Sequence, residues 1–126
     1  MARARILLVD DEPQLLQLVQ KYLQRLDYEV EAHVQASEAL KAYESAAQRY
    51  DMVIADLQMP GLSGEVLLEK MLRINPKLRL LVCTGSSFAL SSVPSPIQNQ
   101  IGFLQKPFAP NMLAEAVGEL LARGRE

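Results

Sequence analysis

Residues 6–13 read ILLVDDEP, a stretch that decides the fold class. The four apolar residues are too few for a stable helix and suit a short strand that is buried on both faces. Pro13 suits the first turn of a helix, because no N–H is needed there. Leucine, valine and tyrosine then recur at three- and four-residue spacing from residue 15 to residue 26. The stretch therefore predicts a buried strand, an acidic turn and an amphipathic helix.

Four further segments have the length and composition of strands, at residues 28–32, 52–55, 78–84 and 101–105. Residues 52–55 and 78–84 are mainly apolar, which favours strands covered on both faces. Residues 28–32 alternate between polar and apolar side chains, which suggests a strand nearer the edge of the sheet. The chain thus predicts five strands.

Helical stripes separate these strands. Ser37 is predicted to cap the second helix, Ser63 to cap the third, and Pro76 to stop the third. Pro110 is predicted to open the last helix. Strands and helices that alternate in this way predict an α/β fold, a doubly wound five-stranded parallel sheet with helices on both faces.

One crossover departs from the pattern. Residues 85–96, between the fourth and fifth strands, read GSSFALSSVPSP. Pro94 and Pro96 each lack a backbone donor and push the preceding residue toward an extended conformation. We therefore expect an irregular fourth helix in this crossover.

Composition limits the function classes. The chain has 126 residues, 49% of them hydrophobic, with 13 Lys and Arg against 15 Asp and Glu for a net charge of −2. This size suits one globular domain that buries roughly two thirds of its unfolded surface. No apolar run approaches the ~18 residues of a membrane span and no signal-peptide layout is present, so a cytoplasmic protein without membrane contact is expected. The near-neutral charge argues against direct nucleic-acid binding.

The single cysteine and the single histidine also limit the chemistry. Cys83 excludes an internal disulfide framework and suits a reducing compartment. His33 is predicted to be a surface histidine without an acidic partner. Because neither residue type forms a cluster, zinc chemistry is not expected.

Polar residues follow four of the five predicted strands. Asp10 and Asp11 follow the first strand, Asp56 follows the third, Thr84 ends the fourth, and Lys106 follows the fifth. Parallel strands place their carboxyl ends at one edge of the sheet, where ligands of such folds bind. Carboxylates gathered there need a cation to stay ionised together, and Mg²⁺ prefers oxygen ligands. The ion and Lys106 would neutralise an incoming phosphoryl group that one carboxylate attacks.

Each of these residues has a simpler interpretation when taken alone. An Asp pair after a strand is often a solvated turn or a helix cap, and Asp56 precedes turn-forming residues. Independent caps have no reason to place acids, a hydroxyl and a lysine on successive strand ends. The joint pattern therefore favours a functional site over separate turns.

Four short motifs, taken in order, resemble the response regulator receiver domains of two-component signalling. They are residues 8–13 (LVDDEP), 56–64 (DLQMPGLSG), 84–85 (TG) and 106–108 (KPF), and the resemblance covers essentially the whole chain. It implies a flavodoxin-like receiver fold with strand order 2-1-3-4-5. It also implies that residues 1–126 form a single receiver domain with no output domain.

The resemblance implies a function for the acidic residues. Asp56 would accept a phosphoryl group from the phosphohistidine of a histidine kinase, in a Mg²⁺-dependent reaction. Asp10, Asp11 and Asp56 would hold the ion together with the backbone carbonyl of Gln58. The domain would assist its own phosphorylation and dephosphorylation without being a stand-alone enzyme.

The resemblance also implies how the signal spreads. Lys106 would pair with the phosphoryl oxygens, and the Thr84 hydroxyl would hydrogen-bond one of them. Phe103 occupies the position of the switch aromatic, and the Lys106–Pro107 peptide is expected to be cis. Movement of Thr84 and Phe103 would change the surface offered to a partner.

The implied partners are a sensor histidine kinase, or a kinase domain within a longer chain such as a hybrid kinase, and an unknown downstream protein. Homodimer formation is left open. Three alternatives remain: a Mg²⁺-dependent phosphatase or phosphotransferase with Asp56 as nucleophile, a flavin or nucleotide binder, and a degenerate interaction module that is never phosphorylated. Gln58 offers the phosphatase no acid two residues after Asp56, and no glycine-rich loop follows the first strand.

Overall fold

Five parallel strands form one sheet. The computed structural model describes residues 4–56, 64–85 and 100–123, with only the backbone of Gly64, Glu65 and Thr84. The strands are Arg5–Val9 (β1), Glu29–His33 (β2), Met52–Ala55 (β3), Leu80–Thr84 (β4) and Ile101–Gln105 (β5). Their order in the sheet is β2-β1-β3-β4-β5, and every neighbouring pair is parallel. The predicted doubly wound, flavodoxin-like order is confirmed.

Four α-helices cover the sheet in the described ranges. They are Pro13–Arg25 (α1), Ala36–Ala46 (α2), Gly64–Ile74 (α3) and Pro110–Arg123 (α4), and a short 3₁₀ turn spans Ala47–Arg49. As predicted, α1 and α4 begin at prolines. The crossover between β4 and β5, residues 86–99, lies outside the described residues, so the irregular fourth helix stays a prediction.

The predicted cap of the second helix is wrong. α2 begins at Ala36, one residue before Ser37, and Gln35 precedes it in an extended conformation without a capping side chain. Ala36 is buried in the core. Packing of the first turn therefore sets the start of this helix, and propensity at the cap is secondary. Ser63, the predicted cap of the third helix, lies outside the described residues.

Alternate residues of the central strands supply two hydrophobic cores. In β1, Leu7 and Val9 face the core beneath α2 and α3, whereas Ile6 and Leu8 face the core beneath α1 and α4. The same alternation continues in β3 and β4. Because both faces are covered, the central strands have continuous apolar runs. Each fully buried aliphatic side chain contributes about 1.5–3 kcal/mol to folding.

The last helix packs closely on β5 at a glycine. A Cβ built on Gly102 would lie 2.9 Å from Leu120 Cδ1 and 3.2 Å from Leu81 Cδ1. Both leucines are buried in the core beneath α1 and α4. The absence of a side chain at Gly102 therefore sets how near α4 approaches the sheet.

Strand β2 lies at the edge of the sheet, and its polar side chains are paired. The Tyr50 hydroxyl donates a 2.8 Å hydrogen bond to Glu31 Oε2, and His33 Nε2 lies 2.9 Å from the same oxygen. The prediction that His33 has no acidic partner is wrong. Residues two apart on a strand share one face, so Glu31 is placed to reach the imidazole.

The helices are short relative to a bilayer. Among residues 4–56, 64–85 and 100–123, no helix is long and apolar enough to span a membrane.

Candidate functional site

Adjacent strand ends bring Asp10 and Asp56 side by side. Asp10 follows β1 and Asp56 follows β3, which are neighbours in the sheet. The Asp56 N–H donates to the Val9 carbonyl at 3.1 Å, and the Asp10 N–H donates to the His33 carbonyl at 3.2 Å. These bonds extend the ladders by one residue, so the backbone fixes where both carboxylates leave the sheet.

Three carboxylates meet at this edge, as the sequence predicts. Asp10, Asp11 and Asp56 each offer an oxygen, and these oxygens all lie within 4.8 Å of one another. Asp10 is only 6% exposed and Asp56 only 4% exposed, whereas Asp11 is partly exposed. A compact set of hard oxygen donors that is open on one side fits Mg²⁺, which keeps several waters.

Lys106 joins the two buried acids. Its ammonium lies 2.8 Å from Asp10 Oδ2 and 2.8 Å from Asp56 Oδ2, and its side chain is 13% exposed. Burial alone would lower the pKa of Lys106, but its hydrogen bonds to Asp10 and Asp56 outweigh burial and raise that pKa above the usual range. Lys106 is therefore charged at neutral pH. The peptide bond between Lys106 and Pro107 is cis, as expected.

A backbone hydrogen bond that the sequence analysis missed orients Asp10 through the carboxylate oxygen that Lys106 does not bind. The Glu12 N–H donates to Asp10 Oδ1 at 3.0 Å, while Lys106 binds Oδ2. An aspartate side chain commonly accepts a hydrogen bond from the backbone N–H two residues later, so this contact could have been predicted from the sequence Asp10-Asp11-Glu12. Both oxygens of Asp10 are thereby oriented. The Glu12 carboxylate lies farther from Lys106, at 3.8 Å.

Two of the three carboxylates, Asp11 and Asp56, line an open cavity of about 490 Å³. Its lining combines charged residues with apolar ones: Asp11, Glu12, Asp56 and Lys106, and Leu15, Gly85, Pro107 and Phe108. Asp56 and Lys106 therefore border a space that a small ligand can enter.

Cys83 lies in β4 close to the site but takes no part in ligand binding. It is buried, and burial raises the pKa of its thiol to about 12. A protonated thiol is a poor metal ligand. The residue acts as a small apolar side chain in the core beneath α1 and α4.

The remaining predicted site residues are placed only in part. Phe103 lies on β5 with 36% of its surface exposed, opposite Val82 of β4. Thr84 ends β4 and pairs with Gln105, but its side chain lies outside what the structure describes. Gln58 also lies outside the described residues. The switch roles of Thr84 and Phe103 and the metal-binding carbonyl of Gln58 stay predictions.

The chain that carries these three acids and this lysine matches the model of a known family. The model for the response regulator receiver domain matches residues 6–118. The chain belongs to the response regulator receiver domain family. Phosphoryl acceptance on an aspartate is the general function of this family. The resemblance that the sequence motifs indicated is confirmed.

Relatives of this receiver domain include a sensor kinase and solved receiver-domain structures. It is 30% identical over 120 residues to the sensor kinase CckA of Brucella abortus (strain 2308), an alignment that covers 95% of this chain and 13% of the kinase. Its sequence is also 30% identical to that of a CheY-like receiver domain protein from Methanospirillum hungatei JF-1, whose crystal structure is known. In that comparison the TM-score is 0.85, with 96% of this chain and 95% of the other covered.

A third relative was crystallised in complex with Mg²⁺ and BeF. The response regulator TrrA of Thermotoga maritima, in complex with Mg²⁺ and BeF, is 32% identical with a TM-score of 0.79, and the match covers 93% of this receiver domain and 98% of TrrA. The acidic cluster of Asp10, Asp11 and Asp56 therefore occurs in a chain whose structural relatives include a magnesium complex.

Proposed function

We propose that Asp56 is the phosphoryl acceptor of this receiver domain and that the donor is the phosphohistidine of a histidine kinase. The observation that carries the proposal is the position of Lys106, whose ammonium lies 2.8 Å from Asp56 Oδ2 at the floor of the acidic cluster. Among the described residues, the one ammonium of Lys106 against the carboxylates of Asp10, Asp11 and Asp56 leaves a net negative charge of two, which suits a divalent ion. Asp56 is the less exposed of the two buried aspartates, at 4% against 6% for Asp10.

The proposed metal ligands are side-chain oxygens of Asp10, Asp11 and Asp56 with the backbone carbonyl of Gln58. The clustering of the three carboxylates supports this set. When bound, Mg²⁺ would supply positive charge against the phosphoryl oxygens. Asp10 is already oriented by Glu12 and Lys106, so little reorganisation of its side chain is needed.

The proposed reaction is an in-line displacement at phosphorus. A carboxylate oxygen of Asp56 forms the new O–P bond while the P–N bond of the donor breaks, and its electron pair returns to the imidazole nitrogen. Lys106, fully protonated, turns its ammonium toward the phosphoryl oxygens. Because phosphoryl transfer needs mainly positioning and charge neutralisation, these residues suffice without a further acid or base.

The proposed output is a packing switch. The phosphoryl oxygens would draw the Thr84 hydroxyl inward, and the space left would admit the Phe103 ring. Since phenylalanine has no hydroxyl, the inward and outward positions of Phe103 would differ by packing alone. The partner surface around β5 would change with them.

The setting of the domain is also a proposal. Residues 1–126 would act as one receiver domain in the cytoplasm, without direct contact to nucleic acid or membrane. The donor would be a separate sensor kinase or the kinase domain of a longer chain. The similarity to a short part of the kinase CckA supports the second arrangement.

The test is phosphorylation by a small donor. The purified protein is incubated with Mg²⁺ and acetyl phosphate, and intact-mass spectrometry measures an added phosphoryl group. We expect wild type to gain it, Asp56→Asn to lose it, and EDTA to prevent it. Asp51→Asn is the matched control, because Asp51 is an exposed acid that precedes the same strand.

Three results would contradict the proposal. Wild type that gains no mass in the presence of Mg²⁺ would support the degenerate interaction module. Rapid turnover of assorted phosphoesters would support the phosphatase. Labelling that survives in Asp56→Asn would assign the acceptor to another residue.

A further inference from the structure

A side-chain bridge crosses strand β1 on the face covered by α2 and α3. Tyr50 precedes β3, and Glu31 lies on β2, on the other side of β1. The Tyr50 hydroxyl nevertheless reaches Glu31 Oε2 at 2.8 Å. In the sheet register Leu7 of β1 pairs with both Glu31 and Val53, so the bridge passes over the middle of the strand that Asp10 follows.

One end of the bridge is fixed in the core. Tyr50 is buried, and its ring stacks on Tyr43 with 6.0 Å between centroids and 21° between planes. Tyr43, a residue of α2, is completely buried in the core beneath α2 and α3. Burial, with the nearby Glu31 carboxylate, raises the pKa of Tyr50 to about 12, so its hydroxyl stays protonated and donates.

The other end of the bridge reaches the acidic site. Glu31 Oε2 also lies 2.9 Å from His33 Nε2, and the ionised carboxylate can only accept, so the imidazole donates. The hydrogen bond from His33 lowers the pKa of Glu31, although burial opposes that shift. The backbone carbonyl of His33 accepts the Asp10 N–H at 3.2 Å. A continuous set of contacts therefore runs from the core through Glu31 to Asp10.

We infer that Glu31 is a positioning residue of the acidic site, which holds the end of β2 and through it the backbone of Asp10. In the part of the chain that the structure describes, β2 pairs only with β1, and one-sided strand ends open more readily than central ones. Loss of the Glu31 contacts would loosen the His33 carbonyl and allow Asp10 to move. The inference rests on the proposed Mg²⁺ site.

The test compares Mg²⁺ affinity, measured by titration calorimetry, with amide hydrogen exchange at Asp10, measured by NMR. We expect Glu31→Ala to raise the Kd for Mg²⁺ roughly 3- to 10-fold. Removal of a residue that directly contacts the side chain of a metal ligand typically weakens metal affinity ~10–100-fold, and Glu31 acts through the backbone instead. Exchange at the Asp10 amide should accelerate in the same variant. Glu31→Gln should restore both values, because its single oxygen can accept from Tyr50 and His33 together.

Glu29→Ala is the matched control. Glu29 lies two residues earlier on the same strand and pairs with Arg5 rather than with the bridge. It should change neither the Mg²⁺ affinity nor exchange at Asp10. An equal effect of Glu29→Ala and Glu31→Ala would show that strand stability alone is responsible, and would overturn the positioning role.

The remaining outcomes separate the two proposals. Wild type that binds no Mg²⁺ would overturn the proposed function and the positioning role together. Wild type that binds Mg²⁺ with the same Kd as Glu31→Ala would overturn the positioning role alone. Should Glu31→Ala fail to fold, Tyr50→Phe decides, because it keeps the stacked ring and removes only the hydroxyl. An unchanged Kd in Tyr50→Phe would then contradict the inference.

Discussion

Replacement of Lys106 by methionine should destabilise the metal-free protein strongly. Methionine keeps a long unbranched side chain but removes the ammonium that binds both buried aspartates. Asp10 and Asp56 would then face each other without a protein cation between them. The protein should therefore lose stability by a specific, charge-dependent mechanism.

The magnitude follows from the distances. At 2.8 Å, each ion pair of Lys106 carries a gross attraction of about 6 kcal/mol at an effective dielectric constant of ~20. Two carboxylate oxygens no more than 4.8 Å apart repel by at least about 3.5 kcal/mol on the same scale. Desolvation offsets much of the attraction, and breaking a buried pair from one side costs about 3–5 kcal/mol. We expect Lys106→Met to lower the free energy of unfolding by that amount.

The assay is urea unfolding followed by circular dichroism at pH 7, in EDTA and again in excess Mg²⁺. The loss in free energy of unfolding should be smaller in Mg²⁺ than in EDTA. In EDTA, the double variant Lys106→Met with Asp56→Asn should be more stable than Lys106→Met alone. The control is Lys70→Met, because Lys70 is an exposed lysine of α3 and its replacement should change stability by less than about 0.5 kcal/mol. A loss below about 1 kcal/mol for Lys106→Met in EDTA would refute the electrostatic account.

Four other residues give three further predictions. Gly102→Ala should destabilise the fold by about 1–3 kcal/mol, because the added methyl group overpacks against α4. Gly118→Ala should stabilise the fold by about 0.5–1 kcal/mol, because a Cβ at Gly118 meets nothing within 4 Å and alanine favours the helix. The urea midpoints of the two variants should move in opposite directions. The pKa of Glu31 is lowered in the folded protein, so its carboxylate stabilises the fold above the ordinary value of 4.5 and that contribution is lost as the pH falls through the folded pKa. The stability difference between wild type and Glu31→Gln should accordingly shrink in acid, and a difference that grows below pH 4 would contradict this sign. Cys83, with its pKa near 12 and its thiol buried, should react with a thiol reagent only at the rate of unfolding; rapid labelling of native protein would show that β4 opens locally.

The position of the acidic site was predictable because strand polarity is a strong constraint. Once β1, β3 and β5 are recognised as parallel strands, Asp10, Asp56 and Lys106 must lie at one edge of the sheet. The prolines at the starts of α1 and α4 were equally informative, since few other positions of a helix accept proline. These features depend on local chemistry and on topology, and both can be inferred from the sequence.

Contacts made across the sheet were not predictable in the same way. Glu31 and His33 are visibly two apart on a strand, but the sequence does not reveal that Tyr50 reaches them over β1. The start of α2 at Ala36 was missed for a related reason, because burial against the core decided it and the hydroxyl of Ser37 did not. In each case the deciding partner is remote along the chain.

The ammonium between the acids is supplied from far along the chain. Lys106 is 96 residues from Asp10 and 50 residues from Asp56 in the sequence. During synthesis the aspartates leave the ribosome long before their counterion, and they remain mutually repelled until β5 adds to the sheet. Completion of the acidic cluster therefore coincides with docking of β5, so a nascent or truncated chain that lacks β5 also lacks the ammonium that binds both buried aspartates.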